Sequence, residues 1–401
     1  MNEAELALLT SPQGTALLDE LGPLADGDAA AAAVIRLRKA GHPAELVSAV
    51  VSQARLRARA RTKLGDAADR LLFTDAGLQQ ATRAEVARRH ADRYREAGIT
   101  HVADLGCGIG ADALAFAAAG LRVRAVERDP VTAAIAAHNL AAHAAATVEL
   151  GDAEDFPVEE VDGLWLDPAR RSGEGRDGAR RAGRLVAADW SPSLDFAFGL
   201  AARRPTGVKL GPGLDRALLP EDAEAQWVSV RGDVVELAVW SGCLARPGVG
   251  RSALLLGADG PHELSAAHDA PDADPGPIGE YLLEPDGAVI RARLIGDLAR
   301  ALRGRMLDPT IAWISCDAVP DSPFGQAFRV VAELAVDERA LRRELAARGV
   351  GTLEIKVRGL DIDPHAFRRR LAPKGDARAT LILTRVAGRR RAILAERLPS
   401  P

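Results

Sequence analysis

The chain has 401 residues, 47% hydrophobic and 27% charged, which excludes disordered and fibrous classes and leaves room for two or three domains. No run reaches the ~18 apolar residues that span a bilayer, the start (Met1-Asn2-Glu3-Ala4-Glu5) is acidic where a signal peptide is basic, and Cys107, Cys243 and Cys316 are too scattered for a disulfide framework or zinc cluster. The net charge of −4 conceals an asymmetry: residues 339–397 carry sixteen Lys/Arg against six Asp/Glu, so the remainder stands at −14. The eight histidines show no ligand spacing, and a cytoplasmic, metal-free protein is expected.

Residues 1–98 read as helical throughout, with runs of helix formers at 29–40, 44–64 and 84–97. Arg55, Arg57, Arg59, Arg61 and Lys63 form a basic ladder whose two-residue spacing wraps around a helix, the pattern of a solvated face. From residue 100 strands and helices alternate: strands at 102–105, 122–126, 147–150, 163–166 and 207–210, helices at 111–119 and 130–144. That alternation predicts an α/β fold with a parallel, doubly wound sheet. Strands follow at 227–230, 234–240 and 252–256, the last two read as an antiparallel pair that finishes the sheet. Residues 257–287 hold eight acids, five Pro, five Gly and no Lys or Arg, which is linker chemistry. Residues 289–302 read as strand then helix, and 311–315 as a strand. The last stretch alternates strand (328–334), helix (338–348), strand (352–358), helix (364–371) and two strands (379–385, 392–396), a small α+β module that carries the positive charge. The expected domains are 1–98, 99–258, a connecting segment 259–324, and 325–397.

The most informative segment is Asp104-Leu105-Gly106-Cys107-Gly108-Ile109-Gly110, a glycine loop between strand and helix. Such a loop lets backbone approach a ligand at a helix start. Glu127 ends the next strand, where a carboxylate can take both ribose hydroxyls, and Asp152 follows the third, where it can read an adenine amino group. An acid at the head of the loop repels pyrophosphate but suits a cationic amino-acid moiety. The loop resembles the D-L-G-C-G-x-G motif of the class I S-adenosylmethionine-dependent methyltransferases, position for position. The resemblance covers about residues 70–260 and implies a Rossmann-like seven-stranded sheet after a helical N-terminal region, with S-adenosylmethionine as cofactor. It implies cofactor contacts at Asp104, Gly106, Gly108, Gly110, Glu127, Arg128, Asp152 and Ala153. Residues 73–82 resemble the pre-loop segment of trimethylguanosine-synthase-like members, which adds Gln80 and Thr82. Thr82 with Glu85 also reads as a helix capping box.

Asp167-Pro168-Ala169-Arg170 closes the fourth strand and resembles the Asn/Asp-Pro-Pro-aromatic motif of methyltransferases acting on exocyclic amino nitrogens. A carboxylate and the adjacent proline carbonyl can accept the two N–H bonds of a poorly nucleophilic amino group. Asp167 and Pro168 are therefore the candidate catalytic pair, against a plain strand-ending acid; Ala169 and Arg170 depart from the motif, and Arg170 stands where it has its stacking aromatic. Asp-Pro-x-Arg also resembles the RNA uracil-5 methyltransferases, but none of the three cysteines has the context of their nucleophile. Trp190, beside a Ser-Pro turn, is either a stacking platform worth ~1–3 kcal/mol per base or a loop anchor. The Arg-rich segment 170–184 reads as a basic loop that grips phosphates or is merely solvated.

The tail, with 353–359 and 364–371, resembles the THUMP-like domain found after a group of bacterial methyltransferases. The resemblance implies RNA as partner, docked by a phosphate-tracking face with Lys356, Arg358, Arg368 and Arg369. Coding bias is the rival account, since only five of the 52 basic residues are Lys. The expected activity is methylation of an amino nitrogen on a base in structured RNA (tRNA or rRNA). The alternatives are a small-molecule or protein N-methyltransferase, and a non-catalytic cofactor-binding RNA protein.

Overall fold

A computed structural model describes residues 1–170, 190–269 and 271–399. Two compact units make up the chain: residues 1–223 with 238–246, and residues 224–237 with 247–401.

The first unit begins with α1 (Glu3–Thr10), α2 (Pro12–Leu21), α3 (Gly27–Lys39), α4 (Ala44–Leu64), α5 (Asp75–Gln80) and α6 (Ala84–Glu96). Local signals start several of them: Asn2 and Glu5 form a capping box, Ser11 caps a helix with Pro12 in its first turn, and Thr74 caps α5. Leucines of α1, α2 and α4 form one core that continues into Phe73, Leu78 and Ile109. The basic ladder is a solvated face only in part: Arg55, Arg59 and Arg61 are exposed, but the ladder also makes contacts within the unit. Arg57 is 5% exposed, and Arg57, Arg59, Arg61 and Lys63 all reach across to residues 69–81.

The sheet of this unit comprises β1 (His101–Leu105), β2 (Arg122–Glu127), β3 (Ala146–Leu150), β4 (Gly163–Leu166) and β7 (Thr206–Leu210), with a separate hairpin of β5 (Ala169–Arg170) and β6 (Trp190–Ser191). The five strands are parallel in the order β3-β2-β1-β4-β7, with α7 (Ala111–Ala118), α8 (Pro130–Leu140) and α9 (Leu194–Gly199) in the connections. The expected doubly wound sheet is present. Under β4 and β7, Tyr94, Phe116, Trp165 and Trp240 pack edge to face or tilted, with ring centroids 5.0–6.4 Å apart. Gly207 admits this cluster: a Cβ there would lie 2.7 Å from Trp165 and 2.8 Å from Trp240 and the Tyr94 hydroxyl. We expect Gly207→Ala to cost about 3 kcal/mol through overpacking, read as a fall in the denaturation midpoint; an unchanged midpoint would show that the aromatic cluster yields.

The second unit holds β8 (Glu224–Val230), most of β9 (Asp233–Trp240), β10 (Arg251–Gly257) and β11 (Gly260–Ala266). β10 does not reverse onto β9 as expected: it runs parallel to β8 and antiparallel to β11. Segment 259–324, expected to connect as linker, is built of β11, β12 (Tyr281–Pro285), α10 (Gly287–Arg291), α11 (Ile295–Ala301), β13 (Arg305–Asp308) and β14 (Ile311–Cys316). Its acids do local work that composition does not reveal: Asp286 caps α10, and Asp308 accepts from the Thr310 and Gly388 amides. The stretch read as strand then helix at 289–302 is helical.

The tail adds β15 (Gly325–Leu334), α12 (Glu338–Ala347), β16 (Val350–Val357), α13 (Pro364–Leu371), β17 (Ala377–Val386) and β18 (Arg389–Arg397), completing a seven-stranded sheet in the order β13-β14-β12-β15-β18-β17-β16. Leu353, Leu381 and Leu383 face α12 and α13, where they meet Leu341 and Phe367. Ile382 and Ile393 face the other way, with Phe328 and Trp313. No described helix is long and apolar enough to cross a membrane.

Candidate active site

Parallel register decides where the chemistry gathers. Asp104 pairs with Trp165 and Leu105 with Leu166, and Leu166 pairs with Val208, so Asp167 and Lys209 are the next position on neighbouring strands. At the same carboxyl edge Glu127 ends β2 and Gly151-Asp152 follow β3. The glycine loop turns there with Gly106, Gly108 and Gly110 at φ of +88°, +56° and +84°, values that a residue with a Cβ adopts rarely. Gly106 and Cys107 donate their amides to the Val126 carbonyl at 2.9 and 3.0 Å, while Gly108 donates to Glu127 Oε2 at 3.0 Å. Glu127 Oε1 accepts from the Asp129 amide at 2.9 Å, so this carboxylate is fixed by backbone on both oxygens.

These elements enclose a cavity of about 270 Å³. Gln80, Thr82, Asp104, Gly106 and Gly108 line it from the pre-loop segment and the loop, and Glu127, Arg128, Asp152, Ala153 and Asp167 from the strand ends. Gly110 lies behind this lining as the left-handed cap of α7. Pro168 follows Asp167 without joining the lining, and Arg170 has its backbone in β5, paired with Trp190. The rest of the Arg-rich segment, residues 171–184, lies outside the described residues.

Two expectations change. Thr82 is not a helix cap: Arg83 holds that position, and the Thr82 hydroxyl donates to Asp112 Oδ2 at 2.6 Å. Trp190 is 2% exposed and has no face to offer a base, so the loop-anchor reading replaces the stacking platform. Ser191 and Pro192 line the cavity instead, and Arg128 Nη1 donates to Ser191 Oγ at 3.2 Å.

The electrostatics centre on three carboxylates. Asp104 is 2% exposed, and its Oδ2 has no hydrogen-bond partner. Burial, then the nearby Asp112 and Asp167, pushes its carboxyl well above the usual range. Burial also pushes Asp112 up, but His90, Lys209 and Thr82 hold it below its ordinary value overall. His90 Nδ1 lies 2.8 Å from Asp112 Oδ1, and its ring packs 4.3 Å from Trp165. Lys209 donates to Asp167 Oδ2, its side chain only 13% exposed. Burial drives the Cys107 thiol well up, so at the cavity wall it is a small inert side chain.

Sequence reasoning missed Asp112, His90 and Lys209. Only one carried a signal. Lysine is rare in this Arg-rich chain, and Lys209 is the single lysine between Lys63 and Lys356. A lone lysine one strand from the Asp-Pro motif therefore had meaning.

The tail's cations do not form one face. Lys356 pairs with Ile382, and its ammonium stands 5.8 Å from the Phe328 ring, on the side away from α12 and α13. It pairs with Glu284 at 2.7 Å, and Arg358 donates to the Ala312 carbonyl at 2.8 Å. Arg368 and Arg369 are exposed on α13, over the opposite face. The alternation of a strand against the period of a helix divides them.

A parallel sheet with a glycine loop at the head of β1, acids ending β2 and following β3, and an orphaned buried carboxylate oxygen for a cationic group fits S-adenosylmethionine. The class is that of S-adenosylmethionine-dependent methyltransferases. Uncharacterised S-adenosylmethionine-dependent methyltransferases of Mycobacterium tuberculosis, from strains CDC 1551 / Oshkosh and H37Rv, are each 37% identical over 347 residues, covering 82% of this chain and 90% of the relative. The chain belongs to this family, and S-adenosylmethionine is its cofactor. Residues 325–397 match the THUMP domain-like family, and residues 3–60 a domain of unknown function (DUF8688). A crystal structure of a candidate methyltransferase from Porphyromonas gingivalis W83 shares the fold, with a TM-score of 0.72 at 23% identity, over 89% of this chain and 92% of that one.

Proposed function

We propose that the protein methylates an exocyclic amino nitrogen of a base in structured RNA. The observation that carries this reading is Asp167, which lines the cavity at the end of β4, is held by Lys209, and is followed by the Pro168 carbonyl. The cofactor supplies an electrophilic methyl group. Asp104 takes its ammonium, Glu127 its ribose hydroxyls and Asp152 its adenine amino group, while Gln80 faces the carboxylate end and Thr82 acts through Asp112. Asp167 and the Pro168 carbonyl accept the two N–H bonds of the target amine, which turns the nitrogen lone pair into the cavity. As the nitrogen gains positive charge Asp167 opposes it, and the departing N–H proton finds that carboxylate as its nearest acceptor.

The THUMP domain-like match supports RNA as the partner. With Lys356 engaged by Glu284, the exposed Arg368 and Arg369 of α13 become the phosphate contacts. We expect Arg368→Glu with Arg369→Glu to weaken binding of structured RNA at least tenfold and to flatten its salt dependence by about two phosphate contacts. An unchanged salt slope would remove α13 from the interface. The RNA assignment itself is tested by nucleoside mass spectrometry of RNA from cells with and without the gene. Disappearance of one methylated nucleoside supports it. No loss there, together with no methylation of RNA by purified protein, favours a small-molecule or protein substrate.

A further inference from the structure

One wall of the cofactor cavity comes from the chain that precedes the sheet. It is the segment from Leu71 to Thr82, which contributes Thr74, Gly77, Gln80 and Thr82 among its lining. Its only regular structure is the six-residue α5, too short to hold itself in place. It is held instead from α4, by side chains that read its backbone. Gln53 Nε2 donates to the Phe73 carbonyl at 2.6 Å, and Gln53 Oε1 accepts from the Phe73 amide at 3.1 Å. Arg57 Nε donates to the Leu71 carbonyl at 3.0 Å. Lys63 Nζ donates to the carbonyls of Leu78, Gln79 and Ala81 at 2.9, 2.6 and 3.2 Å. Gln53 and Arg57, four residues apart on α4, hold the start of the segment, and Lys63, six residues further on, holds its end.

The last of these contacts has an electrostatic logic. Carbonyls at a helix C-terminus have no intrahelical donor and carry partial negative charge. The Lys63 ammonium satisfies three carbonyls at the end of α5, and those three bracket Gln80. From the other side Asn139 of α8 donates to the carbonyls of Leu72 and Ile109 at 3.1 and 2.9 Å and accepts from the Leu72 amide at 2.8 Å. One amide side chain thus ties the segment to the glycine loop. The packing is as close: a Cβ on Gly77 would stand 2.5 Å from Ile109 Cγ2. Gln53 and Arg57 are 2% and 5% exposed, and buried polar side chains are costly unless hydrogen-bonded.

We propose that the N-terminal helical region is a working part of the cofactor site, in which α4, and Lys63 above all, is a positioning element that fixes Gln80 and Thr82 at the cavity wall. This assigns a role to the domain matched over residues 3–60, with Lys63 just beyond it, and it rests on the cofactor contacts proposed for Gln80 and Thr82. Linkage makes the coupling reciprocal, so bound cofactor stabilises α4 and the segment in return.

The test is calorimetric titration of the full chain with S-adenosylmethionine, alongside thermal denaturation of the cofactor-free protein. Lys63→Met weakens binding at least tenfold, and Lys63→Arg, which restores a cation with several donors, recovers part of the loss. Arg36→Met, which breaks the exposed pair with Glu20 in the same helical region, binds like the wild type. Leu121→Ala, in the core at the edge of the sheet opposite the cavity, lowers the melting temperature but not the affinity. Should Lys63→Met fail to fold, Lys63→Gln takes its place under the same criterion. Binding within twofold of wild type by the Lys63 variant overturns the proposal, and so does an equal loss in Leu121→Ala, because affinity would then follow global stability. A wild-type chain that does not bind S-adenosylmethionine would overturn the cofactor site itself, and the positioning role with it.

Discussion

Asp104→Asn is expected to raise the melting temperature of the cofactor-free protein and, at the same time, to remove most of its affinity for S-adenosylmethionine. The two effects share one cause. Asp104 is buried at the head of the glycine loop with one carboxylate oxygen unpartnered, and burial together with Asp112 and Asp167 raises its carboxyl well above the usual range. In the unfolded chain the same group titrates near 3.9. Between that value and the raised one the unfolded state gives up its proton more readily, so it binds fewer protons than the native state and stability falls as pH rises. At neutral pH the native protein bears the strain of an acid placed for a ligand. An amide of the same shape relieves it by about 1–3 kcal/mol. The cofactor's ammonium, proposed to meet Asp104, by contrast needs the charge. Losing it should cost about 100-fold in affinity, or about 2.7 kcal/mol, and should abolish the pH dependence of binding contributed by this group. A variant that is both less stable and unimpaired in binding would refute the assignment.

Asp167→Ala should lower methyl transfer by about 10³-fold or more, equivalent to ~4 kcal/mol of transition-state stabilisation, while cofactor affinity stays within a few-fold of wild type. The carboxylate lines the cavity but lies at the end of β4, one, two and three strands away from Asp104, Glu127 and Asp152, the acids proposed to hold the cofactor. Its proposed work is to orient the amine and oppose the charge that develops on it. Single-turnover transfer from labelled S-adenosylmethionine to RNA from a strain lacking the gene separates this from a binding defect. Full activity in the variant would mean that Asp167 is a strand-ending acid and nothing more. Loss of cofactor affinity in step with activity would move it into the cofactor site.

Most of the fold was legible because its signals are local. Alternating strand and helix patterns, the glycine loop and the capping residues are all written within a dozen positions of one another, and the parallel sheet of the first unit follows them. Within 259–324 the strand at 311–315 is β14, but β11 and β12 went unread for the complementary reason. The segment's proline, glycine and acidic content describes punctuation between short strands as well as it describes a linker, and only pairing distinguishes the two. β11 exists because β10 is beside it, and β12 because β14 and β15 flank it. The buried Arg57 and the carbonyl-bound Lys63 of the basic ladder were not legible because a two-residue spacing says where side chains leave α4, not what waits for them.

By itself the sequence determined the class and the cofactor, and it supplied the residues proposed for the cofactor end: Asp104, the three glycines, Glu127 and Asp152 form a pattern whose geometry is set by short stretches of backbone. Only the tertiary structure decided what surrounds it. Lys209 reaches Asp167 because two parallel strands share a register across some forty residues of chain. Asp112 finds His90 and Thr82 because α6 and α7 pack together. The tail's cations divide between opposite faces of a sheet, although composition counts them as one charge. Local backbone geometry can be read residue by residue, whereas the partner of a buried charge is whichever group long-range packing brings within about 3 Å.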